Sequence, residues 1–74
     1  MNKRRREVVS EAIREIEAAS GKIEDAMFEE QDTMAGVPEN LQGSERYGEM
    51  EAAVDAMQEA VDELNDIAER LREL

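Results

Sequence analysis

Met34-Ala35-Gly36-Val37-Pro38-Glu39-Asn40-Leu41-Gln42-Gly43-Ser44 is the one stretch of this 74-residue chain that interrupts a helical pattern. Gly36 is a natural helix stop, and Val37 is pushed toward extended backbone by the proline that follows it. Pro38 through Gln42 suits a single helical turn with proline in its first position. Gly43 breaks that turn, and Ser44 is an N-cap residue for whatever comes next. A connection of about a dozen residues exceeds the roughly 2–8 usual between bundle helices. Val37 and Leu41 give it apolar anchors, so the spacing predicts a packed cap at the tip of a helical hairpin. The expected fold is all-α, an antiparallel two-helix hairpin in one domain. Helix 1 is placed at about 3–34, the tip loop at 35–44 and helix 2 at about 45–74.

Downstream of the break, Tyr47, Met50, Val54, Met57, Val61, Leu64, Ala68 and Leu71 recur at alternating steps of 3 and 4, an unbroken heptad seam. Ala53, Ala60, Ile67 and Leu74 form a flanking column that widens the seam to the apolar face of a bundle helix. The acids of this segment fall outside that face. Glu45 lies in the first turn and Arg70 and Arg72 in the last turns, where the helix dipole favours each sign.

Upstream, Val9, Ile13, Ile16, Ser20, Ile23 and Met27 continue to Glu30 or Met34 with the same steps, flanked by Ala12, Ala19 and Ala26. Small residues on both helices permit close approach of their axes. Gly21, inside the helix, costs about 1 kcal/mol relative to alanine and marks a soft spot. Lys3, Arg4, Arg5 and Arg6 sit where the dipole disfavours cations. The turn then frays, serves a ligand or pairs with carboxylates; in a hairpin it lies beside the end of helix 2, so pairing with Glu69 and Glu73 is the leading expectation.

The apolar face is wider than one partner helix covers, and a hairpin of this length buries little. Self-association into a four-helix or larger bundle is therefore expected, with Val9, Ile13, Ile16, Ile23, Met27, Met50, Val54, Met57, Val61, Leu64 and Leu71 as its core. Cysteine and histidine are both absent. That removes disulfides, thiolate zinc sites, His metal sites and imidazole base chemistry. No metal, cofactor or catalytic residue is expected, and no apolar run exceeds three residues, so neither a membrane span nor a secretory core is present. Cytoplasm is the expected compartment.

Twenty acids against nine bases give −11, and four of those bases are Lys3–Arg6, which leaves residues 7–74 at −15. Such a body repels nucleic acid and anionic lipid and attracts a basic protein groove. Near the break the seam turns polar. Glu30 and Gln31 fall on or beside the stripe of helix 1, Arg46 and Tyr47 open helix 2, and Asn40, Gln42 and Ser44 lie between. Two uses of this set follow from the residues: a self-satisfied network, chiefly Arg46 with Glu30, or a recognition site. One guanidinium, one aromatic face and several amides suit a small planar or phosphorylated ligand.

Glu29-Glu30-Gln31, Pro38-Glu39-Asn40-Leu41-Gln42 and Ser44-Glu45-Arg46, ahead of an Ala/Asp/Glu-rich heptad helix, resemble a group of small uncharacterised acidic helical proteins encoded by phages and prophages. The resemblance spans roughly residues 24–74 and is carried by the tip; Gly36 departs from it, where a more polar stretch is usual. It implies a phage accessory protein, a class that often counters bacterial defence, and it implies no catalytic residue. Three functions are then expected in order. First comes an oligomeric sponge that sequesters a nucleotide-like immune signal. Next is an acidic nucleic-acid mimic that inhibits a nuclease or other basic defence protein of the host, and last a structural or assembly adaptor.

Overall fold

Two helices run the length of a slender rod and one tight tip joins them. The computed structural model describes residues 1–74, with α1 over Lys3–Ala35, a short 3-10 turn, α2, over Glu39–Leu41, and α3 over Glu45–Arg72. The rod measures 59 × 14 × 13 Å, which is one helix length by two helix widths. No strand is present, and no helix is long and apolar enough to cross a membrane.

Both long helices begin on side-chain caps. Asn2 Oδ1 accepts the Arg5 amide at 2.8 Å, and Ser44 Oγ accepts the Tyr47 amide at 3.2 Å. Each satisfies a donor that the first helical turn leaves open. The Asn2 cap holds the Lys3–Arg6 turn helical although no acid offsets its cations. The anticipated pairing with Glu69 and Glu73 does not form. The chain's one ion pair joins Arg72 to Glu17, and Arg6 Nε instead donates to the Met1 carbonyl at 3.2 Å.

The heptad seams meet along the rod. Ile13, Ser20 and Met27 of α1 and Val61 and Ala68 of α3 are buried. Every other seam residue, from Val9 to Met34 and from Tyr47 to Leu71, is half-buried. Ser20 is the one polar residue of the core, and its hydroxyl donates to Asn65 Oδ1 at 3.0 Å across the pair. Beside it Gly21 is exposed within an unbroken helix, so the soft spot costs propensity without a break.

At the tip Gly36 ends α1 with φ −84° and ψ −6°. Gly36 is the stop that the sequence predicts, made in right-handed backbone: the last turn tightens, with Gly36 and Val37 donating to the Thr33 and Met34 carbonyls at 3.2 and 3.1 Å. Pro38 caps the 3-10 turn from outside it, with the Leu41 amide donating to its carbonyl at 2.8 Å. Val37 is half-buried, but Leu41 is 50% exposed, so only one of the two anchors packs.

The hairpin has two unlike long sides. One carries Ser10, Glu17, Glu24 and Gln31 of α1 with Glu51, Gln58, Asn65 and Arg72 of α3. The Glu17–Arg72 ion pair and the Ser20–Asn65 hydrogen bond lie on this polar side. The opposite side carries Ala12, Ala19, Ala26 and Thr33 against Arg46, Ala53, Ala60 and Ile67. Shallow hollows lined from both helices follow it, one bounded by Ile23, Ala26, Met57 and Ala60 and another by Thr33, Arg46, Met50 and Ala53.

Candidate functional site

The tip and the start of α3 enclose an open concavity of about 590 Å³. Its floor is apolar: Val37, Pro38, Leu41 and Met50. Its rim is polar, with Asp32 and Thr33 from the end of α1 and Ser44, Arg46 and Tyr47 from the start of α3. The Ser44 cap positions this rim. Fixing the first turn of α3 places Arg46 and Tyr47 on successive faces of the helix, Tyr47 half-buried on the seam and Arg46 exposed beside it.

Arg46 has no carboxylate within ion-pair distance; the single ion pair of the chain lies at the other end of the rod. The expected lock with Glu30 is therefore not made. Glu30 occupies a half-buried seam position, whereas Arg46 belongs to the flanking column, and the two share only a shallow hollow with Thr33, Glu49, Met50 and Ala53. An unpaired guanidinium over an apolar hollow, next to an aromatic face, keeps five donors free for a planar or anionic group.

Three of the seven tip residues singled out from sequence line the concavity, namely Ser44, Arg46 and Tyr47. Glu30 borders the neighbouring hollow. Gln42 is committed to the loop, with its Nε2 donating to the Val37 carbonyl at 3.4 Å. Asn40 is exposed within the 3-10 turn, and Gln31 is exposed on the polar long side. Neither lines the concavity. Asp32, Thr33 and Met50 do, and the heptad count alone identifies two of them. Thr33 continues the column of Ala12, Ala19 and Ala26, and Met50 is the first seam residue after Tyr47. Asp32 brings a negative charge to the same rim, which counts against a highly charged anion and favours a ligand with a single phosphate or a polar planar group.

Elsewhere the acids stay dispersed. No group of three or more acidic side chains converges in a way that could hold a metal ion. No buried polar side-chain atom lacks a partner. The tip is thus where open apolar surface, an aromatic ring and an uncommitted cation coincide. Comparison with known proteins returns no similarity to any family model, curated protein or solved structure.

Proposed function

We propose that the chain acts by binding rather than by catalysis: a phage-type accessory protein of the host cytoplasm that self-associates and sequesters a small nucleotide-like signal of bacterial defence. One observation carries the reading. Arg46 stands unpaired beside Tyr47 over a concavity of about 590 Å³, a size within the range of small-molecule sites. Tyr47 offers a ring for base stacking, and Arg46 offers a bidentate donor pair for a phosphate or a base edge. Self-association into a four-helix or larger bundle would duplicate the site by symmetry. The resemblance to phage and prophage proteins supplies the defence context.

The test is direct titration of the purified protein with a panel of mono- and cyclic nucleotides by calorimetry, alongside Arg46→Ala. Saturable binding by the native chain and none by the variant supports the site. The absence of binding across the panel rejects it.

A second reading is favoured by charge. Between residues 23 and 60 eleven carboxylates face Arg46 alone, so the tip half is a dense anionic rod that fits a basic nucleic-acid groove. A complex with a nuclease that dissolves as salt rises would establish this nucleic-acid mimicry instead. If both tests fail, a structural or assembly adaptor is the reading left.

A further inference from the structure

Part of the apolar surface that the hairpin cannot cover lies on the alanine side. Of the six large apolar side chains left exposed, Ile67 and Val8, 36% and 58% exposed, flank that side, whereas Phe28 lies one turn from Glu24 and Gln31 on the polar side, Leu41 is at the tip, and Met1 and Leu74 are at the chain ends beyond the helices. Ile67 belongs to the column of Ala53 and Ala60, and Val8 lies one helical turn from Arg5, the residue that continues the column of Ala12, Ala19 and Ala26. The opposite long side makes the hairpin's inter-helix polar bonds. A strip of alanine with isoleucine toward one end is the surface of a helix pair that lacks its second layer.

Charge says what covers it. Cut at the level where Ile23 sits across from Ala60, the rod divides into electrically unlike halves. The tip half, residues 23–60, holds eleven acids and one base; the terminal half, residues 1–22 with 61–74, holds nine acids and eight bases. The tip half is therefore near −10 and the terminal half near −1. Two copies laid tip beside tip would place −10 against −10. Laid tip beside termini, each anionic half meets the half that carries Lys3–Arg6, Arg14, Arg70 and Arg72. Arg4 and Arg5, without an ion pair of their own, then lie toward the partner's tip, where Asp32, Glu39, Glu45 and Glu49 project.

We propose that a second copy of this chain docks on the alanine side in a two-fold, antiparallel arrangement, with the tips at opposite ends, so that the Lys3–Arg6 turn of each protomer lies against the tip of the other. Isologous closure leaves no free copy of the strip and stops assembly at a closed unit. The alanine columns let the helix layers approach closely, and the N-terminal arginines supply the cations that the tip lacks. This rests on the self-association proposed above and specifies its face and its direction.

The chain has no cysteine, so single cysteines report the geometry without background. Gln42→Cys marks the tip and Glu73→Cys the termini; both positions are exposed. A mixture of the two variants, treated with a short bismaleimide, is expected to give the mixed Gln42→Cys/Glu73→Cys product in large excess over either self-linked product. Dominant self-linking of Gln42→Cys overturns the antiparallel arrangement while leaving self-association intact. Light scattering of the native chain is expected to give at least twice its 8.4 kDa mass. A stable, fully helical monomer overturns both this inference and the oligomer on which it rests.

The face is tested separately. Ala26→Glu on the strip and Ala52→Glu on the outer side are both exposed substitutions. Ala26→Glu is expected to lower the assembled mass and Ala52→Glu to leave it unchanged. The reverse pattern, or equal effects, assigns the interface elsewhere. Absence of nucleotide binding by the native chain, with the mixed cross-link formed, rejects the tip site alone.

Discussion

Ser20 and Asn65, forty-five residues apart in sequence, are joined across the hairpin by a hydroxyl-to-amide hydrogen bond of 3.0 Å. Ser20 is only 5% exposed and is the one polar side chain in an otherwise apolar core. The bond satisfies the one hydroxyl that the core buries; a slip by a heptad would set Gln58 or Arg72, the neighbours of Asn65 in the same column, beside Ser20 instead. The seams combine small residues, Ser20 and Ala68, with large ones such as Met27, Leu64 and Tyr47, so the fit of large against small contributes to the register.

Asn65→Ala removes the acceptor and leaves the Ser20 hydroxyl in the core. A loss of about 0.5–1.5 kcal/mol is expected, since Asn65 itself is exposed and water covers part of the deficit. Ser20→Ala in the same chain should recover most of it, because both polar partners are then gone. Urea unfolding at one fixed protein concentration measures all four species of the cycle. An additive result would show that the two side chains do not depend on each other.

Val61 is 2% exposed at the centre of the α3 seam. Val61→Asp places an unpaired charge there and is expected to cost about 3–5 kcal/mol, more than so small a core sustains. Circular dichroism should show loss of helicity at 25 °C. Retained helicity and an unchanged melting temperature would place Val61 outside the core.

The Glu17–Arg72 pair joins side chains that are each nearly half exposed. Exposed pairs are worth about 0–1 kcal/mol and are screened by salt. Glu17→Gln is therefore expected to shift stability by less than about 1 kcal/mol, with the difference vanishing in 1 M salt. A larger, salt-insensitive loss would indicate that the bridge is desolvated by assembly on the polar side, contrary to the arrangement inferred above.

The periodic part of the hairpin was legible in the sequence because a heptad step maps onto burial one residue at a time. From Val9 to Met34 and from Tyr47 to Leu71, each seam position is buried or half-buried. The pairings were not legible in the same way. That Ser20 meets Asn65, and that Arg72 meets Glu17 while Lys3–Arg6 find no acid, depends on how far one helix slides along the other. The tip loop sets that offset. Gly36 ends α1 at that loop, as its place in the sequence predicts, and does so in right-handed backbone with φ −84°. The same offset separates Arg46 from Glu30.

Arg46 is where structure and function part most cleanly. Had it been locked to Glu30, truncation would strand a half-buried carboxylate and destabilise the fold. The guanidinium is exposed and without an ion pair, so Arg46→Ala is expected to change stability by no more than about 0.5 kcal/mol. Activity should behave otherwise. If Arg46 holds the ligand over the tip concavity, its loss removes a charge-assisted bidentate contact, and affinity should fall about 10- to 100-fold, the equivalent of about 1.5–3 kcal/mol. Arg46→Lys keeps the charge but loses the planar fork, and should restore only part of that affinity if the guanidinium's geometry matters. Thermal melting and nucleotide titration of the two variants, with a phage-defence reporter assay beside them, separate the outcomes. A stable Arg46→Ala variant that binds nothing and fails to counter defence assigns Arg46 to recognition. One that is equally stable and equally active transfers the function to the acidic flanks of the rod.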